Sequence, residues 1–313
     1  MTSLLRPLSL VLGTALLAGS LAACGSAQTG TPAAGLTAAV AFYPFEFVVE
    51  RVGGDLVDVE NLTTPGAEPH DLELTPKQVG LLSTADLVVF QSGFQPAIDT
   101  ALEQASPQRT VDVADFVEFL PAGEDDHAEE EHAGEEDEHG ALDPHTWLDP
   151  TNLAAVAEHV RDALAQARPE AAAEFGSNTD ALLAELDTLD KELSAGLANC
   201  SLRTFITSHA AFGYLAHRYD LEQVGIRGLE PDAEPSAARI AEVQQIATRE
   251  GVTTIFFETL VSPVVAESIA HDLGLATDVL DPLEGLTDAS RGSDYLEVMR
   301  ANLAALQKAN SCS

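Results

Sequence analysis

Residues 170–197 carry Phe175, Leu182, Leu186, Leu189, Leu193 and Leu197 at steps of three, four and seven, the spacing of one apolar face on an α-helix. At 1.5 Å per residue such a helix reaches about 40 Å, the width of a small domain, so the flanking segments must be disposed along a single rod. Both flanks repeat one pattern. Before the rod, residues 37–42, 56–62, 86–91 and 110–113 read as strands, separated by helices at 45–52, from Thr75 and Pro76 onward, and at 94–104. A further amphipathic helix at 152–167 leads into the rod. After it, strands at 203–207, 223–226, 253–257 and 277–280 alternate with helices at 236–250 and 263–273, and a helix at 293–308 closes the chain. Alternation of this kind builds parallel sheets with helices on both faces. The expected fold class is therefore α/β, with two lobes, each a parallel sheet flanked by helices, joined by one long spine helix. The lobes are residues 37–168 and 200–313, and the linking helix is 169–199.

The N-terminus reads separately. Residues 1–23 hold Arg6, an apolar stretch at 8–18 that is too short to span a membrane, and then Leu21-Ala22-Ala23 before Cys24. This is the pattern of a signal peptide, and its ending resembles the bacterial lipoprotein cleavage box, which makes Cys24 the lipidated first residue of the mature chain. Residues 24–36, rich in small residues, form a flexible tether. The protein is then expected outside the cytoplasm, anchored to the cell membrane. In an exported chain the two other cysteines, Cys200 and Cys312, are expected to form a disulfide tying the C-terminus to the start of the second lobe.

Charge narrows the partners. Lysine and arginine number 15 against 51 acids, a formal charge of -36 over 313 residues, which argues against nucleic acid and makes a cation the natural ligand class. The densest run of acids is the loop 123–140, where ten carboxylates surround His127, His132 and His139. Such a run cannot fold alone, and its imidazoles, at nearly regular intervals of five and seven residues, read as an accessory metal-collecting loop. The sequence then changes character: Asp143 and Pro144 restrict the backbone before His145, and Asp149-Pro150 opens the next helix. In parallel sheets, ligands gather at loops beyond the carboxyl ends of strands. His70, His145, His209 and Asp281 all occupy such loops, and Glu258 ends another strand. His159 and His217 lie within helices and read as ordinary helical residues.

These segments resemble a known family, the metal-binding solute receptors of bacterial ABC importers in the zinc and manganese cluster. The resemblance rests on A-F-Y-P-F, P-G-A-E-P-H-D-L-E-L-T-P, D-P-H-T-W-L-D-P, T-S-H-A-A-F-G-Y-L-A, G-L-E-P-D-A-E-P-S, I-F-F-E-T-L-V-S-P and V-L-D-P-L, in the family's order from Thr37 to the last helix. It implies that His70, His145, His209 and Asp281 hold the metal. From its strand end Glu258 reads as a group that orients a histidine rather than binding the ion, and Glu68, two residues before His70 with Pro69 between, reads as a further acid near the metal with its approach left open. It also implies a monomeric receptor, not an enzyme, that hands its ion to an ABC permease driven by a cytoplasmic ATPase. The chain itself has no G-x-x-x-x-G-K-[ST] loop.

Three imidazoles and a carboxylate suit Zn2+, whereas manganese favours more oxygen ligands, and manganese-type members carry a carboxylate where His209 stands. Two alternatives stay open. One is a manganese-specific receptor or adhesin of the same fold. The other is a secreted zinc hydrolase with Glu258 as base, although no H-E-x-x-H occurs and Asp281 would close the metal shell.

Overall fold

In the computed structural model, residues 35–123 and 142–313 are described, and they belong to one compact unit. The signal segment, Cys24, His127, His132 and His139 lie outside the described residues. The first sheet comprises β1 (Leu36–Val40), β2 (Val57–Asn61), β3 (Leu87–Phe90) and β4 (Thr110–Asp112), ordered β2-β1-β3-β4 and all parallel. The second comprises β5 (Thr204–Thr207), β6 (Glu222–Gly225), β7 (Thr254–Phe257) and β8 (Ala276–Val279), in the matching order β6-β5-β7-β8 and also parallel. β1 begins at Leu36, one residue inside the segment read as tether.

Covered on both faces, the inner strands β3 and β5 are buried at every residue, while edge strand β2 alternates from Val57 onward. Of the connecting helices, α1 (Tyr43–Gly53), α2 (Pro76–Thr84) and α3 (Pro96–Gln104) belong to the first lobe. The second lobe carries α6 (Gly213–Arg218), α7 (Ala237–Glu250) and α8 (Val264–Leu273). Helix starts follow local chemistry: Thr75 and Gln78 form a capping box with Pro76 in the first turn of α2, and Ser236 accepts from the Arg239 amide at the start of α7.

Helix α4 (Pro150–Ala167) and the spine α5 (Ala172–Leu197) are separated by a single 3-10 turn at Pro169–Ala171. The spine is 26 residues long, and the apolar residues read from its sequence are the ones it buries, together with Thr179. It packs on α4, on α1 of the first lobe and on α9 (Tyr295–Ala309). One apolar core therefore runs from the first sheet through the spine to the inner face of the second, while a smaller core of Ile206, Val243, Ile255 and Ile269 fills the space under α7 and α8. Cys200, just past the spine, is joined by a disulfide to Cys312, just past α9. Among the described residues no helix is long and apolar enough to cross a membrane.

Each lobe contributes two loops to one buried group of side chains.

Candidate metal centre

His70 sits in the loop after β2. Gln95, at the start of α3, donates to the Pro69 carbonyl (3.0 Å) and to Thr63 Oγ1 (3.2 Å), and Phe94 meets the imidazole edge-on at 4.8 Å. His145 precedes a 3-10 turn at Thr146–Leu148 that leads into α4. Its loop is fixed by Gln91, which donates to the Pro144 carbonyl (2.6 Å) and accepts from Thr146 Oγ1 (2.6 Å). His209 follows β5, and its carbonyl accepts from Thr207 Oγ1 (2.6 Å) and Gln223 Nε2 (3.1 Å). The structure thus brings together three of the histidines read from the sequence.

The fourth member of the group is Glu284, and not Asp281. His70, His145, His209 and Glu284 each offer a ligand atom, all within 4.8 Å of one another. Glu284 Oε1 lies 3.3 Å from His70 Nε2, 3.3 Å from His145 Nε2 and 3.6 Å from His209 Nε2, and the last two nitrogens are 3.3 Å apart. Four donors at zinc's usual bond lengths stand about 3.3 Å from one another in a tetrahedron. The four separations of 3.3–3.6 Å fit edges of such a shell around a small cation.

Asp281 faces elsewhere. Its carboxylate accepts from the Leu283 amide (2.9 Å), Ser290 Oγ (2.7 Å) and Thr259 Oγ1 (3.4 Å). Burial raises its pKa against those hydrogen bonds. It ties the β8 loop to itself, and the chain then turns through Leu283, at φ 61, to present Glu284 three residues on. The sequence signal for Glu284 is slight: a second acid in the same L-D-P-L-E run.

Carboxylates back the histidines on their far side. His145 Nδ1 is 2.7 Å from Asp143 Oδ1, which also accepts from the His145 amide at 3.0 Å. His209 Nδ1 is 2.7 Å from Glu258 Oε1, an ion-pair approach too bent to be an aligned hydrogen bond, and the same oxygen accepts from Ser208 Oγ. His70 Nδ1 lies 3.7 Å from the exposed Glu230. Such partners hold a ligating imidazole in orientation and raise its basicity. The sequence points to Glu258 in this role, whereas it marks Asp143 only as a backbone constraint and gives no sign of Glu230.

The electrostatics are those of a site built for positive charge. Burial would raise the Glu284 pKa, but hydrogen bonds from His145, His209 and His70 outweigh it and hold the carboxyl well below its usual range. Burial disfavours charged His209, yet the charge of Glu258 and its contacts with Glu258 and Glu284 lift its pKa well above 6.5. Asp143 and Glu284 similarly overcome burial and raise His145. Glu68 accepts weakly from the His70 amide (3.4 Å); burial and the charge of Glu284 push its pKa up to about 8. The second oxygens of Glu284, Glu258 and Glu68 are buried with no hydrogen-bond partner, and at Glu284, the acid among the donor atoms, a bound cation would offset that penalty.

The histidines read as helical residues behave as such. His159 bonds its own helix at the Ala155 carbonyl (2.9 Å) and stacks on Phe116, and His217 is exposed on α6.

Residues 39–309 match the family described as ZnuA, zinc-uptake complex component A, periplasmic. The zinc-binding lipoprotein AdcA of Streptococcus pneumoniae (strain ATCC BAA-255 / R6) is 36% identical over 273 residues, covering 85% of this chain and 54% of AdcA. The high-affinity zinc uptake system protein ZnuA of Bacillus subtilis (strain 168) is 33% identical over 295 residues, covering 91% of this chain and 92% of its own. The crystal structure of the Zn(II)-bound ZnuA-like domain of Streptococcus pneumoniae AdcA superposes with a TM-score of 0.73 at 35% identity, covering 88% of this chain and 99% of that domain. The chain therefore spans about half the length of AdcA and nearly all of the Bacillus subtilis protein.

Proposed function

The chain belongs to the zinc-uptake complex component A family, and on that footing we propose that it is an extracytoplasmic receptor that captures Zn2+ between its lobes and delivers it to an ABC-type importer. His70, His145, His209 and Glu284 are the ligands in this reading. The observation that carries it is the placement of one Glu284 oxygen 3.3–3.6 Å from the Nε2 atoms of all three histidines, at the spacing of a tetrahedral zinc shell.

Three imidazoles and one carboxylate favour zinc over manganese, which takes more oxygen donors. A receptor is favoured over a hydrolase because the protein itself supplies the fourth ligand, whereas catalytic zinc keeps that position for water. Lipidation at Cys24 would hold the receptor at the membrane beside a permease, with ATP consumed by a separate cytoplasmic subunit. The loop at 123–140, with His127, His132 and His139, serves as a weak, fast-exchanging collector that raises the local zinc concentration.

The test is zinc and manganese titration of the soluble domain, residues 35–313, against a chelator, beside His209→Ala and a deletion of residues 124–139. One tight zinc site, lost in His209→Ala and retained in the deletion with lower total stoichiometry, is expected. Tight binding that vanishes with the loop would place the main site there and overturn the proposal.

A further inference from the structure

Glu284 is carried by a turn, Asp281-Pro282-Leu283-Glu284, in which each of the three residues before Glu284 has a backbone group held by a side chain. The Asp281 amide donates to Asn302 Oδ1 (2.9 Å), and Asn302 Nδ2, on α9, donates back to the Asp281 carbonyl (2.7 Å). The Leu283 amide bonds the Asp281 carboxylate (2.9 Å). The Pro282 carbonyl accepts from the indole Nε1 of Trp147 (2.7 Å), the one pin that comes from the other lobe. Leu283, fully buried, sits at φ 61, a left-handed conformation that a branched side chain keeps only when its surroundings enforce it.

Trp147 is well placed to enforce it. It is the chain's single tryptophan, 1% exposed, two residues from His145, with ring contacts to Phe42 (4.7 Å), Phe94 (5.3 Å) and His145 (5.2 Å). Its carbonyl also accepts from Tyr295 Oη on α9 at 2.7 Å, so the segment bearing His145 is fastened to the second lobe at two points. One of those points is the peptide two residues before Glu284.

We infer that Trp147 is a positioning residue for Glu284, its indole N–H setting the carboxylate against the three histidines across the lobe boundary. The inference rests on Glu284 being a metal ligand, as proposed above. It assigns the indole a job that its bulk alone would not do: Trp147→Phe keeps an aromatic ring among Phe42 and Phe94 but removes the donor.

The deciding experiment is a double-mutant cycle on zinc affinity, measured by chelator competition with Trp147→Phe, Glu284→Gln and the pair. Trp147→Phe is expected to weaken zinc binding about 10- to 100-fold in the wild-type background and to add little to Glu284→Gln. The visible absorption of the Co2+-loaded Trp147→Phe protein is expected to move toward that of Co2+-loaded Glu284→Gln. A full Trp147→Phe effect persisting beside Glu284→Gln, or no effect at all, overturns the positioning role while leaving the ligand assignment intact. Unchanged affinity in Glu284→Gln alone takes the ligand assignment and this inference down together. Should Trp147→Phe fail to fold, exchange of the lone indole proton in otherwise native protein decides: protection in the zinc-saturated wild type that is lost in zinc-saturated Glu284→Gln supports the inference, and equal protection overturns it.

Discussion

A Cβ added at Gly213 would come within 2.2 Å of Asp143 Oδ2. Gly213 opens α6 in the second lobe, whereas Asp143 belongs to the first and holds the Nδ1 of His145 at 2.7 Å. The approach is further fixed by Tyr214, which donates to the Asp143 carbonyl (3.0 Å) and accepts from the Leu120 amide (2.9 Å). The missing side chain is thus what lets the carboxylate stand behind the imidazole.

Gly213→Ala should displace Asp143 and weaken zinc binding about 10- to 100-fold, the range found when the partner of a metal-ligating histidine is lost. Asp143→Asn should do the same, and the double variant should be little worse than either. Chelator-competition titration checks this; independent, additive losses would show that Gly213 acts by some other route.

The two acids of the β8 loop separate just as clearly. Asp281 is engaged by Leu283, Ser290 and Thr259, while Glu284 faces three histidines. Glu284→Gln should cost at least about 100-fold in zinc affinity, whereas Asp281→Asn, which acts only by loosening the turn, should cost about 10-fold or less. The reverse order would restore Asp281 as the ligand.

That pair also marks where sequence reasoning stops. The alternation of strand and helix on both sides of the spine was readable, because each period is local and each lobe repeats it. The three histidines were readable for the same reason: parallel strands deliver their following loops to one end of the sheet. Choosing between Asp281 and Glu284 needed the long-range partners Asn302 and Trp147 and the left-handed turn at Leu283, none of which has a local signature. The role of Asp143 is half local: its partner His145 lies two residues on, but the room for its carboxylate comes from Gly213 in the other lobe.

The Cys200–Cys312 disulfide closes a segment with a sequence separation of 112 that contains the whole second sheet. Cross-linking so long a loop removes much unfolded-state freedom, and replacing both cysteines by serine should lower stability by about 2–5 kcal/mol. Urea unfolding of the oxidised protein beside the double-serine variant measures it. A difference below about 1 kcal/mol would mean that the bond constrains little that α5 and α9 packing does not already fix.

Acidity should move zinc affinity and metal-free stability in opposite directions. Zinc binds neutral imidazole, and with the pKa of His209 lifted well above 6.5 and that of His145 also raised, protons begin to compete above pH 6.5 rather than at it. Apparent affinity should therefore fall as pH drops through that region, with a slope steeper than one proton gives. For the metal-free fold the sign reverses: a group whose pKa is raised on folding contributes stability that is present below its unfolded value and lost as pH rises through the folded one. His209 and His145 lose their contribution above pH 6.5, and Glu68 loses its own between 4.5 and about 8. Glu284, depressed on folding, works oppositely, stabilising above 4.5 and failing only as pH falls toward its lowered value. The metal-free protein should thus melt at its highest temperature on the acid side of neutrality and soften toward alkaline pH, while zinc raises the melting temperature most where the apo form is weakest. Thermal melts with and without zinc across about pH 5.5 to 8.5 read both trends. A zinc-induced shift that is flat with pH would contradict the three-histidine shell.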